Sequence, residues 1–271
     1  MNGDPAAPAA VHPAAAAAGS RRVRAPGWLF LALLLAALVL SVLRFDLVES
    51  LLGIRSRGLL VSRIPLWELA LQHLGLVAAS SAAAVPIALG LGIAAVRFAG
   101  SGLRALLVAA GSAAQTFPSA AILALAVPLA GFGFAPTFLA LGLYGMLPVL
   151  HNTIAGLEGV PEAAVDAARG MGMRPRQVLA RVRLPLALPV ILAGVRTSVV
   201  INTAAATLGA AMGAGGLGLP IISGIRSFDP ALILRGAIPS ALLALFADAS
   251  LRRLEDRARR SAGGEPSGPG T

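Results

Sequence analysis

The chain alternates long apolar runs with short arginine-bearing segments. The apolar runs lie at Gly27–Leu43, Leu66–Val96, Leu103–Leu129, Pro136–Leu157, Leu186–Ala210 and Ala231–Leu251. Each is close to or longer than the roughly 20 residues that a helix needs to cross the hydrocarbon of a bilayer. The pattern predicts an all-α, polytopic membrane protein with about six transmembrane helices. The second and third runs exceed a span and carry Pro86 and Pro118, which predicts tilts or kinks there. Stretches such as VAASSAAAV, LVAAGSAAQ and INTAAATLGAA give the helices faces of small residues on which neighbours can pack closely. Residues 1–26, rich in Ala and Pro without an apolar period, are expected to be a disordered tail. The segment 27–43 fits a first span or the apolar part of a signal peptide. The long stretch before it and the lack of a small-x-small cleavage site at SVLRFDLVES favour the span.

Composition agrees with lipid as the solvent. Of 271 residues 57% are hydrophobic and 13% charged, about half the charge of a soluble domain, and mean hydropathy is +0.82. All 22 basic residues are arginine and the net charge is +10. The arginines fall between apolar runs and form no single basic face, so the anionic inner leaflet, and not nucleic acid, is their expected partner. With the N-terminus inside, the cytoplasmic segments collect fifteen arginines and the outer segments six, with Arg196 inside a span. That bias places both termini in the cytoplasm. Arg44, Arg55, Arg57 and Arg63 run against it. There is no cysteine, which excludes disulfides and thiolate chemistry, and His12, His73 and His151 have no metal-ligand spacing.

One segment departs from the apolar pattern. DAARGMGMRPRQVLARVRLP, Asp166–Pro185, sets down one aspartate and five arginines within twenty residues. Pro161 suits the first turn of a helix over PEAAVDAAR. Gly170 and Gly172 are expected to stop that helix and permit positive φ, Pro175 to open a second short helix, and Pro185 to disrupt it before the next apolar run. Val178 and Val182 share one face of the second helix, Arg174 and Arg181 another. The result is a compact helix–turn–helix with small residues at its tip, in a segment, 160–186, that the charge bias puts inside.

This segment resembles the cytoplasmic motif of permease subunits of type I ABC importers, E-A-A-x3-G-x9-I-x-L-P. Glu162-Ala163-Ala164 is a decoy, because the glycine does not follow at the required distance. From Asp166 the spacing fits: Asp166, Ala167 and Ala168, then Gly172, then Val182, Leu184 and Pro185, with Asp for Glu and Val for Ile. The resemblance implies that these seven residues dock on a separate ATP-hydrolysing subunit. Further stretches, among them GSAAQTFPSAAILALAVPLAGFGFAP and LPLALPVILAGVRTSVVINTAAATLGAAMGAGGLG, look like the permeases of osmoprotectant importers for glycine betaine, choline and related solutes. The similarity covers 66–251, leaving a tail, the first span, the 44–63 loop and a basic C-terminal tail, 252–271, outside it.

Other signals are weighed against plainer readings. GAGGLG, Gly213–Gly218, has dinucleotide-loop spacing but follows an apolar helix with no strand before it, so a tight extracytoplasmic turn is expected. Without lysine the chain lacks the phosphate-binding lysine of an ATPase loop, so energy must come from a partner. One tyrosine and two tryptophans make a poor aromatic cage for quaternary ammonium groups. That agrees with selectivity residing in a separate extracytoplasmic binding protein. Polar residues inside spans are expensive. Gln115, Thr116, Arg196, Asn202 and Thr203 either line a pathway or make interhelical hydrogen bonds, with snorkelling to the interface a further role for Arg196. Asp248 is expected to pair with Arg252 at i+4.

The expected protein is therefore an inner-membrane permease, not itself an enzyme, with no cofactor and no metal. It would form half a pathway with a second, identical or homologous permease, two ATPase subunits and a solute-binding protein. A permease for another small solute is the main alternative. An ion-coupled secondary transporter would need buried acids and internal repeats, and an intramembrane hydrolase a paired nucleophile and base; neither pattern is evident.

Overall fold

A computed structural model describes residues 27–54, 64–98 and 100–263, so the N-terminal tail and the second part of the 44–63 loop, 55–63, lie outside the described residues. The described chain is helical throughout: α1 Gly27–Leu43, α2 Phe45–Leu52, α3 Leu66–Phe98, α4 Ser101–Gln115, α5 Ser119–Ala130, α6 Phe134–Glu158, α7 Glu162–Gly170, α8 Pro175–Val178, α9 Leu184–Gly209, α10 Gly218–Ser227 and α11 Pro230–Ser261. The centre of the bundle is α6 against α9, with α3 and α11 on either side. Small residues let these helices approach. The α-carbon of Gly92 faces the Thr153 side chain, and Gly194 faces the Pro148 carbonyl and Asn152. α10 folds back on α11, α1 lies on α11 and α3, and α4 and α5 lie on α6.

The six predicted spans resolve differently. Among the described residues, four helices are long and apolar enough to cross a membrane, or five if the bent pair α1–α2 is one span. The run Leu103–Leu129 is not one helix. It breaks at Thr116–Phe117–Pro118 into α4 and the shorter apolar α5, because Pro118 lacks an N–H and forces the residue before it out of the helical region. Conversely, α3 continues through Pro86 over 33 residues.

Two further expectations need correction. Pro185 does not interrupt the chain. α8 passes through a π-helical turn, Leu179–Arg183, straight into α9, with the Leu184 N–H donating to the Leu179 carbonyl. The wider turn shifts the hydrogen-bond register, so a proline in the first turn of α9 is tolerated. Nor does a separate tail start at 252, since α11 runs unbroken to Ser261. The 44–63 loop contains α2, bent by 93° from α1. Phe45 anchors α2 in a cluster with Leu66, Leu69 and Leu217.

Candidate functional site: the 162–185 element

The element's first helix, α7, buries Val165 and Ala168 against Leu157, Val178, Ala187 and Ile191. Its end explains the spacing of the motif. The Met173 N–H donates to the Ala168 carbonyl at 3.1 Å and the Gly172 N–H to the Arg169 carbonyl at 2.9 Å, while Gly172 stands at φ +80°. That is a helix C-cap in which the left-handed residue must come four positions after the carbonyl closing the outer bond. Ala168 and Gly172 are four apart for this reason. Met173 turns back on the cluster containing Ala168, supplying the apolar contact that accompanies such a cap. Gly170 remains within the helix and does not take positive φ.

After the turn, the Gln177 side chain accepts from the Arg174 N–H at 2.8 Å and closes the start of α8. Val178 is buried and Val182 and Leu184 pack beside it. The seven motif residues thus divide in two. Ala168, Val182 and Leu184 face the bundle and hold the element on it. Asp166, Ala167, Gly172 and Pro185 are exposed. Asp166 pairs with Arg169 at 3.0 Å. The decoy Glu162 is also engaged, reaching Arg169 at 3.2 Å and Arg183 at 3.8 Å, and so links α7 to the π turn. The tip carries Met171, 71% exposed. Its signal in the sequence is an apolar residue between two glycines in an otherwise charged element. A cavity of about 300 Å³ separates the element from the end of α3, with Arg97, Arg169, Met173 and Arg183 among its walls.

Several of the polar residues inside the bundle have partners within the chain. Arg196 of α9 reaches Asp248 at 2.9 Å and Glu255 at 3.2 Å, both on α11. Asp248 also holds Arg252 and Glu255 holds Arg259, at 3.2 Å and 3.1 Å. The expected Asp248–Arg252 pair is present, but it is the edge of a five-residue network. Asn202 has no exposed surface and donates to the Ser81 hydroxyl at 3.3 Å, and the buried Thr203 hydroxyl donates to the Val199 carbonyl at 2.8 Å. Arg196 thus links α9 to α11 and Asn202 links α9 to α3, whereas the Thr203 hydroxyl bonds within α9. Thr116 is exposed at the α4–α5 break, beside Gln115, whose side chain lies outside the described residues. His73 meets the Thr203 carbonyl at 3.1 Å and His151 the Val108 carbonyl at 2.9 Å. Among the described residues no cluster of His, Asp and Glu could hold a metal ion.

The GAGGLG stretch is a turn, as expected, with Gly213, Gly215 and Gly216 all at positive φ. The Gly216 N–H donates to the Gln72 side chain at 3.1 Å. This turn meets the start of α3, whereas the 162–185 element meets its end. The roughly 24 residues between Gln72 and Val96 rise about 36 Å, so the two turns sit at opposite ends of the bundle.

Known proteins share both fold and sequence with this chain. A structure of the inward-facing MetNI methionine ABC transporter superposes with a TM-score of 0.63 at 18% identity, covering 69% of this chain and 93% of that one. The carnitine transport permease protein OpuCB of Listeria monocytogenes is 45% identical over 146 residues, 54% of this chain and 67% of the relative. The choline transport system permease protein OpuBB of Bacillus subtilis is 44% identical over 134 residues, 49% of this chain and 62% of its own length. The osmoprotectant import permease protein OsmW of Salmonella typhimurium is 38% identical over 193 residues, 69% of this chain and 89% of the relative. Residues 84–260 match the family model for the inner membrane component of binding-protein-dependent transport systems; the chain belongs to that family and is a multi-pass membrane permease subunit of an ABC importer.

Proposed function

We propose that the chain forms half of a translocation pathway for a small osmoprotectant such as glycine betaine or choline, paired with a second permease subunit. The observation that carries this reading is the 38–45% identity to permeases named for carnitine, choline and osmoprotectants. Two ATPase subunits supply the energy, one docked on each permease through Asp166, Ala167, Gly172 and Pro185 and the exposed Met171 between them. The division of the motif supports this. Three residues fix the element to α9 and four face outward, so a push on the exposed face moves a rigid body that continues directly into the 26 residues of α9. Binding of ATP closes the ATPases and, through this element, opens the pathway outward. Both termini and the 162–185 element are cytoplasmic in this reading, and Gln115 and Thr116, at the α4–α5 break, are the candidates for the pathway wall.

The test is reconstitution with the ATPase and binding protein in proteoliposomes. ATP-dependent uptake of labelled glycine betaine, choline or carnitine is the expected result. Uptake of none of these, with ATP-driven uptake of some other small solute, would overturn the solute while leaving the permease assignment intact.

A further inference from the structure

At the end of the bundle away from the 162–185 element, α2, α3 and α11 enclose a cavity of about 310 Å³. Among the described residues its charged walls are Asp46 and Glu49 from α2 and Arg235 from α11, with Trp67 from α3 beside them. Glu49 and Arg235 are both partly buried. Neither lies within ion-pair distance of the other, nor does either form an ion pair with any other described residue. Among the described residues Asp46 pairs with Arg44 alone, at 3.6 Å, and both are well exposed. Two partly desolvated charges of opposite sign therefore face one cavity without neutralising each other, an arrangement that costs free energy until something bearing both signs lies between them.

A second feature says what that is. Val42, Leu43 and Trp67 also line an adjoining groove of about 290 Å³ between α1, α3 and α11, whose other walls include Leu38, Leu71, Leu74 and Leu243. The groove offers hydrocarbon and almost nothing polar. Trp67 stands at the junction, the position that an indole favours between acyl chains and headgroups. We propose that the cavity and groove together bind one zwitterionic phospholipid with an ammonium headgroup. An acyl chain fills the groove, the phosphate meets Arg235, and the ammonium meets Glu49 and Asp46. A free zwitterionic solute would satisfy the charges but leave the groove unfilled. An anionic lipid would meet Arg235 and be repelled by the two acids. The proposal rests on the membrane placement of the chain and not on which solute it carries.

The chain has two tryptophans, Trp28 and Trp67, so the full-length Trp28→Phe protein carries a single reporter at the site. It is placed in phosphatidylglycerol vesicles containing a small fraction of phosphatidylethanolamine brominated on its acyl chains. Quenching of Trp67 should report a local enrichment of about five-fold over the bulk fraction, the scale of two partly exposed charged contacts. Brominated phosphatidylglycerol at the same fraction in an unbrominated host should show none. Unbrominated phosphatidylethanolamine should relieve the excess, and free glycine betaine should not. Glu49→Gln with Arg235→Gln should return quenching to the bulk level. Ala70→Phe, which fills the groove and leaves the charges alone, should do the same and gives a second route if the double variant misfolds. Equal quenching by the two lipids, excess quenching that survives both variants, or relief by glycine betaine would each overturn the proposal.

Discussion

Two glycine turns cap opposite ends of the bundle, and they use glycine for different reasons. At Gly172 a β-carbon would meet nothing within 4 Å. The residue is needed only for its φ of +80°, which lets α7 close its last carbonyls and turn into α8. At Gly215–Gly218 space is a second constraint, added to the positive φ of Gly215 and Gly216. A β-carbon on Gly215 would strike the Gln72 side chain, one on Gly216 would approach His73 to 3.2 Å, and one on Gly218 would overlap the Thr207 carbonyl. The first turn is open on its outer face and presents Met171 and Asp166 to whatever lies beyond. The second is pressed into the protein's own helices and buries Leu217 completely. A turn that needs only a dihedral angle leaves its surface free for a partner. A turn that needs contact spends its surface on its own fold.

The sharpest way to break that contrast is Gly218→Val. The Thr207 backbone cannot step aside as a flexible side chain would, so overpacking here should cost about 3 kcal/mol or more. We expect little monodisperse protein in detergent, whatever partners are present. Normal yield and thermal stability would show that the second turn is not contact-limited.

Gly172→Val should behave otherwise. It strains φ by about 1–2 kcal/mol without a clash, so the chain inserts and purifies. The second helix is misaimed, however, and the ATPase subunit should be lost on co-purification, with uptake lost as well. Asp166→Lys, which replaces the partner of Arg169 with a like charge, should give the same pattern. Retention of the ATPase by both variants would remove the docking role from this turn.

Glu162→Gln should be milder. Its pair with Arg169 is exposed on both sides and its longer pair with Arg183 is exposed on the glutamate side, and such pairs contribute under about 1 kcal/mol each. ATPase association should fall by no more than about three-fold. If this variant uncouples the ATPase while Asp166 and Gly172 variants retain it, the motif has been aligned four residues out of place. The smallest perturbation is a single cysteine at an exposed site of this cysteine-free chain, Gln177→Cys at one end or Phe228→Cys at the other. Transport should survive Phe228→Cys unchanged and Gln177→Cys with at most a modest loss, since the latter removes the side-chain cap of α8, worth about 1 kcal/mol. An impermeant thiol reagent should label the second in intact cells and the first only after the membrane is opened. The reverse would invert the topology.

What could be read from the sequence was what depends on neighbours in the chain. The Ala168–Gly172 spacing is one example, because a helix cap closes its hydrogen bonds within six residues. The Asp248–Arg252 pair is another, since i and i+4 share a helix face. Apolar runs of sufficient length marked the membrane helices for the same reason: each must satisfy its own backbone polar groups within the segment. The break at Pro118 was local too, but its depth, two helices in place of a kinked one, was not legible.

Tertiary structure decided the rest. Arg196 carried an ambiguous sequence signal because its partners, Asp248 and Glu255, lie 52 and 59 positions away and meet it only where α9 packs on α11. Asn202 and Thr203 look alike as polar residues in a span; only the packing of α3 on α9 shows that Asn202 bonds across to Ser81 while the Thr203 hydroxyl stays within its own helix. The cavity between Glu49 and Arg235 joins residues from α2 and α11 that lie 186 positions apart in the chain. Covalent neighbours fix backbone dihedrals and helix faces. Which faces meet, and which charges are left without a partner, follows only from the packing of helices that are distant in sequence.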